Sequence, residues 1–393
     1  MLKVKIRQAG WILSTCVAIT LLVNHTVFAG EDSTKAVAEE AVVSDSNWSY
    51  LNLWDYTTLY SNKEDSFIQE VKIIGRYHGQ YYYDSSNHGH SAGWENRRFR
   101  PGFAVKFWNK FKFQGEINLA DVRNLDGPFF KSWDNLYLQW EPTKKLRFKF
   151  GRQKSDTTQE RYTSSKYIIT AERSLLVNQL TSDKILGASA RYKFTDKLSL
   201  QSGIYSSPLD NKLNSYKGSG GVAALMKLGY KVNENTQAYL DYWYADRQGG
   251  AREIKDYKHV FSLNTTNIWD DFGLNTDLIY GVGTGLREGE EVFGLTLMPW
   301  YNITDKLQGV FRYQLGNSNS VNGISLAKRY DRLAVTDGGG TRGDLYNAIY
   351  LGLNYKINGD KLKLMAGAEY SHLTGGKDDF SGVTPWVGVR TFW

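Results

Sequence analysis

The stretch RFRPGFAVKFWNKFKFQGEINL, residues 98–119, alternates apolar side chains with charged or polar ones on both sides of a short link. Phe103 and Phe107 share one parity, whereas Arg98 and Arg100 share the other. Successive side chains of a β-strand leave opposite faces, so a period of two predicts strands, and a helix would break it within one turn. The stretch therefore predicts two neighbouring strands joined by a tight turn.

The same alternation continues to the last residue and predicts sixteen strands within residues 69–393. Links of three or four residues alternate with longer connections, which include 84–95, 155–184, 206–220 and 316–343. Short turns at one end and long loops at the other are typical of an outer-membrane barrel with both termini on the periplasmic side. By this count, segment 155–184 is the third long loop.

A soluble β-sandwich would give similar alternation within each strand. Two features favour a membrane barrel. The apolar parity carries almost no charge, as expected where a charge at the lipid midplane costs roughly 2–4 kcal/mol. The other parity is polar on every strand and leaves no second apolar layer to pack. Large aromatic residues at strand ends suit the interfacial girdles of a barrel: Trp140, Trp300, Tyr301, Tyr355 and Trp393. The sequence thus predicts an all-β, transmembrane antiparallel barrel.

The chain begins with three basic residues, an apolar run at 11–23 and small residues before Gly30, so residues 1–29 are predicted to be a secretory signal peptide. The run is shorter than the about 20 apolar residues of a membrane-spanning helix. Residues 30–68 are predicted to be a periplasmic leader, partly disordered, and residues 69–393 the barrel. Cysteine occurs once, in the signal, so we expect no disulfide, thiolate nucleophile or cysteine metal site after it is removed.

The net charge of +7 rises to +8 once the +3 of residues 1–29 and the −4 of residues 30–47 are set aside. Bases greatly outnumber acids on the parity that would face the lumen. Positive charge in a narrow aqueous channel raises the local anion concentration and excludes cations, and the forked donors of arginine match phosphate or carboxylate oxygens. The candidates chosen by parity are Arg76, Arg98, Arg100, Arg147 and Arg191.

Rival functions lack their residues. A lipase or protease barrel needs a nucleophile or acid–base site with histidine or acidic partners, and no such constellation is evident. His88 and His90 lie in an expected outer loop without the acidic cluster that would complete a metal site. Bases and aromatic residues occupy opposite faces, which argues against nucleic-acid binding. We therefore expect no enzymatic activity, cofactor, metal or nucleic-acid partner.

Four segments resemble the phosphate-selective porin family, porins O and P: RRFRPG at 97–102, LRFKFGRQK at 146–154, YTSSK at 162–166 and AERSL at 171–175. The resemblance implies a sixteen-stranded, trimeric outer-membrane porin. It also implies that the third long loop folds into the lumen, where arginines and lysines guide phosphate-like anions.

Individual positions can be compared with the motifs of this family. Arg97, Arg98 and Arg100 match its basic second-strand motif, and Lys154 matches a lysine implied to lie at the constriction. Arg173 matches the arginine of its Glu-Arg-Ser motif. Two roles stay open for Arg173, since it could line the pore or hold the loop.

After Lys154 the chain departs from the family, which often has a Pro-Phe-Gly-like turn where this sequence has SDTTQE, residues 155–160. The two acids there would lower the local positive potential. The sequence thus predicts an anion-selective diffusion channel for phosphate or polyphosphate, with a weakly anion-selective general porin or a structural or adhesive barrel as alternatives.

Several partners follow from this interpretation. They are small inorganic anions, outer-membrane lipid and lipopolysaccharide, and two further copies of the chain. The alternating C-terminal segment that ends at Trp393 resembles the signal read by the outer-membrane assembly machinery.

Overall fold

A computed structural model describes residues 50–119, 130–206, 221–247, 254–330 and 340–393. The expected signal peptide and the first half of the expected leader lie outside these residues and stay predictions. No helix within the described ranges is long and apolar enough to cross a membrane.

The described residues form nineteen strands, of which sixteen make one closed antiparallel barrel. In chain order the strands are β1 (Thr58–Ser61), β2 (Ile68–Ser86), β3 (Gly89–Phe107), β4 (Phe111–Leu119), β5 (Phe130–Thr143), β6 (Leu146–Lys154), β7 (Lys184–Lys193), β8 (Leu198–Ser206), β9 (Gly221–Lys231), β10 (Thr236–Arg247), β11 (Tyr257–Trp269), β12 (Phe272–Gly283), β13 (Glu291–Asn302), β14 (Leu307–Ser318), β15 (Ile324–Ser325), β16 (Arg342–Gly343), β17 (Leu345–Asn358), β18 (Leu362–Thr374) and β19 (Phe380–Phe392).

The barrel consists of β2 to β14 and β17 to β19, each paired with its neighbour in the chain, while β15 and β16 pair only with each other. Closure comes from β19 and β2, which pair with Arg390 opposite His78. Short helices lie between strands at Gln159–Tyr162 and Leu175–Leu180. The expected antiparallel barrel of sixteen strands is confirmed.

Burial follows the alternation that the sequence shows. On β14 the inward residues Gln308, Arg312 and Gln314 are buried, whereas Phe311 between them is partly exposed on the outer face. On the outer face of the wall from β3 to β6, aromatic rings contact their neighbours, as Phe111 does Trp140, with ring centroids 6.2 Å apart. The polar parity therefore faces the lumen and the apolar parity faces outward.

The first long connection, expected at 84–95, is instead a hairpin. β2 continues to Ser86 and β3 begins at Gly89, so only Asn87 and His88 lie between the paired strands. Beyond the lipid, both faces of a hairpin can meet water, so its strands need no apolar parity there. The sequence of residues 84–95 therefore lacks a clear alternation, although the two strands remain paired there.

The expectation that the inward parity is polar on every strand is wrong for one side of the barrel. Inward apolar residues there are buried against the helix Leu175–Leu180 and against segment 319–330, and they include Leu225, Trp243, Val260, Ile279 and Val292. Inward positions beside an inserted segment are core rather than channel wall. Loop residues therefore fill part of the lumen on the side of β9 to β13.

One residue of the expected aromatic girdle also faces inward. Trp300 packs against the buried Met298 and Val310, in a cluster that includes Ala171 of the third long loop. By contrast, Tyr301 and Tyr355 are exposed on the outer face, as expected.

A 3₁₀ helix, Tyr50–Thr57, and β1 lie at the end of the barrel that holds the C-terminus. β1 pairs with β2 through Tyr60 and Val71, below the point where β19 ends opposite Arg76. The indole Nε1 of Trp54 donates to the Phe392 carbonyl oxygen at 2.6 Å. The segment thus covers a strand edge that β19 leaves open, and an uncovered edge invites pairing with another chain.

We expect Trp54→Phe to lower the thermal unfolding midpoint, because it removes one hydrogen bond worth about 0.5–1.5 kcal/mol while keeping an aromatic ring. The measurement is the temperature at which the folded barrel loses its compact migration on a gel. Trp108→Phe is the matched control, since the Trp108 indole N–H has no hydrogen bond among the described residues. Equal midpoints for the two variants would show that the Trp54 bond contributes nothing.

Candidate functional site

The third long loop, residues 155–183, contacts inward-facing residues of the barrel wall. The backbone N–H of Thr158 donates to Asp241 Oδ2 at 2.7 Å, and that of Gln159 donates to Asp277 Oδ2 at 3.1 Å. Both carboxylates are buried, on β10 and β12. They accept N–H groups at the start of a short helix, where such groups have no partner within the helix.

Arg312 on β14 is the main anchor of this loop. Its Nη1 donates to Glu160 Oε1 at 3.0 Å and to the Glu172 carbonyl oxygen at 2.7 Å. Its Nη2 donates to Glu369 Oε2 on β18 at 2.7 Å. The Arg312 side chain is 1% exposed, so its charge binds two points of the loop and does not face the open lumen.

The loop also reaches the opposite wall. Arg76 on β2 donates to Ser165 Oγ at 2.8 Å, and Arg97 on β3 makes a two-pronged contact with Glu172, at 2.6 and 3.0 Å. Because the loop touches both walls, it narrows the lumen at the level of these arginines.

A β-bulge on β3 explains how the RRFRPG motif directs its arginines. His78 lies opposite Arg98, but Gly79 lies opposite Asn96, so Arg97 is an extra residue on this strand. At a bulge, two residues of one strand oppose one of its partner and the alternation is interrupted. Arg97 and Arg98 consequently both reach the lumen although they are adjacent in sequence.

A second irregularity lies across β4 and β5. Gly115 is opposite Leu136 but Ile117 is opposite Trp133, so two residues, Asp134 and Asn135, face Glu116 alone. Asp134 and Asn135 are both buried. Strict alternation would direct only one of them inward, which is why sequence parity missed Asp134 as a lumen carboxylate.

Four of the eight predicted site residues form ion pairs. The pairs are Arg76–Glu116 at 2.5 Å, Arg97–Glu172 at 2.6 Å, Arg100–Asp134 at 3.0 Å and Lys154–Asp156 at 3.1 Å. Burial alone would raise the pKa of Glu172, but the charge of Arg97 holds that pKa well below its usual range. These bases are thus partly neutralised, and they contribute less to an anion's attraction than their number suggests.

The other four have no carboxylate partner among the described residues: Arg98, Arg147, Arg173 and Arg191. Arg98 Nη1 lies 3.2 Å from His78 Nδ1, and Arg191 Nη1 donates to the Tyr162 hydroxyl at 3.2 Å. Arg147 is opposite Arg191 in the register of β6 and β7.

For Arg173, the geometry favours the loop-holding role. Its Nε donates to the Glu160 carbonyl oxygen at 2.8 Å and its Nη2 to the Thr163 carbonyl oxygen at 2.9 Å. Burial, followed by the positive charge of Arg161, lowers the pKa of Arg173 to about 10. Arg173 thus fixes the fold of the loop through two backbone carbonyls.

Two lysines of this wall were not among the predicted site residues. Lys149 follows Arg147 on the same parity, and its Nζ lies 5.0 Å from the centre of the Tyr137 ring. Lys184, at the start of β7, donates to Asn135 Oδ1 at 2.9 Å. Parity places Lys149 on the lumen face together with Arg147, whereas the position of Lys184 depends on where the third loop ends.

Comparisons with known proteins agree with this architecture. Residues 71–303 match the family model described as phosphate-selective porin O and P. No curated protein matches the chain.

Three similar solved structures show the same fold. The anion-selective porin from Comamonas acidovorans is 12% identical, over 82% of this chain and 99% of its own, with a TM-score of 0.58. DcaP, an outer membrane channel of Acinetobacter baumannii, is 12% identical over 84% and 100%, with a TM-score of 0.52. The trimer form of Vibrio cholerae OmpT is 14% identical over 82% and 99%, with a TM-score of 0.53.

We expect Arg312→Met to loosen the third loop. Glu160 would be left buried without its ion-pair partner, whereas Glu369 would keep Arg329 at 2.9 Å. Breaking a buried pair by removing one partner costs about 3–5 kcal/mol. The expected result is larger open-channel current noise in single-channel recordings and a lower thermal midpoint. Lys356→Met is the control, because Lys356 has no ion pair among the described residues. Quiet channels with an unchanged midpoint would show that Arg312 is not the anchor.

Proposed function

We propose, since the chain belongs to the phosphate-selective porin O and P family, that it conducts phosphate and polyphosphate in preference to other small anions. The protein is an outer-membrane porin, a channel rather than an enzyme, and its pore is anion-selective. The proposal concerns the preferred solute and the residues that recognise it.

The proposal rests mainly on the position of Arg98 and on its N–H groups, most of which are unpaired among the described residues. Arg98 is 7% exposed and lies on the lumen wall beside Arg97 and Arg100. Apart from the contact with His78, its N–H groups have no acceptor among the described residues. A guanidinium with free, forked donors and no carboxylate at ion-pair distance among the described residues matches two oxygens of a phosphate.

A second basic group supports the same solute. Arg147 and Arg191 lie opposite each other on adjacent strands, and like charges in that position destabilise a sheet. An anion between the two guanidiniums would offset this repulsion. With Lys149 on the same parity, these bases extend the positive wall from the level of Arg98 toward the turns at the periplasmic end.

The remaining candidates serve the same channel in other ways. Arg76, Arg97, Arg100 and Lys154 contribute positive potential that their carboxylates partly offset. Arg173 shapes the loop that narrows the pore. We also propose a homotrimer, as in the trimer form of OmpT.

A general porin with weak anion preference is the second candidate. It is favoured by the carboxylates of Asp156 and Glu160, which lie in the third loop close to the bases. The two functions differ in one measurement, the block of chloride current by added phosphate in a planar bilayer.

We expect a reversal potential under a KCl gradient that shows chloride preference, and a chloride current that phosphate blocks. Cation preference would contradict an anion channel altogether. Anion preference without phosphate block would support the general porin.

We expect Arg98→Gln to weaken phosphate block about tenfold, which corresponds to about 1.4 kcal/mol and is less than one charge-assisted hydrogen bond can contribute. Lys306→Gln, at an exposed turn, is the control of equal charge change. Block that stays as strong as in the parent protein would show that Arg98 does not contact the anion.

A further inference from the structure

We propose that His78 is a positioning residue that presents the Arg98 guanidinium to the permeating anion without neutralising it. The proposal rests on the function proposed above and concerns how its central base is held. His78 lies on β2 and is 1% exposed, so it does not itself line the water-filled path.

The hydrogen bond fixes the chemical state of the histidine ring. His78 and Arg98 are opposite each other in the register, and Arg98 Nη1 lies 3.2 Å from His78 Nδ1. An arginine N–H can only donate, so Nδ1 must accept. A ring that accepts at Nδ1 is the neutral imidazole with its proton on Nε2.

The surroundings of His78 favour this neutral form. Arg98 lies beside it on β3, and Arg390 is its register partner on β19. Arg390 is itself occupied by the Gln80 side chain and by the carbonyl oxygens of Gly79 and Ala171. A proton added to the ring would place a third positive charge between two guanidiniums.

His78 therefore holds Arg98 in a different way from the neighbouring arginines. Arg76, Arg97 and Arg100 are each held by a carboxylate, which offsets the charge it orients. An uncharged acceptor orients the guanidinium and leaves its full positive charge to the lumen. A side chain that is already ordered also loses less conformational freedom when the anion binds.

A purely structural role for His78 is the alternative, since the ring lies next to the bulge. Two substitutions separate the roles. His78→Phe keeps an aromatic ring but removes the acceptor. His78→Asn loses the ring but keeps an uncharged oxygen acceptor close to the position of Nδ1.

The experiment measures the block of chloride current by inorganic phosphate for the full-length protein in planar bilayers. We expect His78→Phe to weaken block at least threefold and His78→Asn to stay within twofold of the parent. In the Arg98→Gln background, His78→Phe should have no further effect. His372→Phe is the control, because its Nδ1 bonds Ser381 on the adjacent strand away from Arg98.

Four results would overturn the proposal: unchanged block in His78→Phe, equal losses in the Phe and Asn variants, additive losses with Arg98→Gln, or an equal loss in the His372 control. If His78→Phe does not assemble, His78→Asp keeps an acceptor but supplies a negative charge. It should then weaken block as much as Arg98→Gln does, and unchanged block would overturn the proposal.

Phosphate block measured in the parent protein distinguishes failure of this proposal from failure of the proposed phosphate preference. No phosphate block in the parent protein would overturn both. Block that depends on Arg98 but not on His78 would overturn only the role of the histidine.

Discussion

The structure depends on one constraint, that a backbone N–H or C=O in lipid must find its partner within the protein. A sheet can meet it only by closing, and here β19 and β2 close it, with Gly75 and Trp393 exchanging backbone hydrogen bonds at 2.9 and 3.1 Å. Closure gives every strand one face toward lipid and one toward the lumen. The alternation in the sequence then decides which side chains the solute can meet.

The inward face has two uses, and the partner of each base decides between them. Arg312 pairs with two carboxylates and holds the third loop, whereas Arg98 bonds only the His78 imidazole among the described residues. Apolar inward residues on the far side pack against loop segments. Loop segments therefore occupy the lumen on the side of β9 to β13, whereas seven of the eight predicted site residues lie on β2, β3, β6 and β7.

Alternation made the strands predictable because it is a local property of the chain. Sixteen strands and the position of the third loop follow from it, and so does the inward direction of Arg76, Arg98 and Arg147. What parity could not supply was the partner of each base, since Asp134 and Glu172 meet theirs only through register and loop conformation. The extended first hairpin was missed because both of its faces meet water beyond the lipid, so its strands need no apolar parity. The apolar inward side was missed because its inward residues pack against loop segments and are therefore not polar.

The bulge at Arg97 changes which residues of β3 face the lumen, from even-numbered on one side of it to odd-numbered on the other. Below it, even-numbered residues of β3 face the lumen, and above it Glu95 faces inward opposite Gln80 while Trp94 faces outward opposite Tyr81. Without Arg97 the alternation would be unbroken, and all the remaining residues of β3 would keep their partners on β2. A regular strand that kept Arg97 would instead place Trp94 toward the water-filled interior and Glu95 outward. The bulge therefore allows one more residue into the strand without exchanging its two faces.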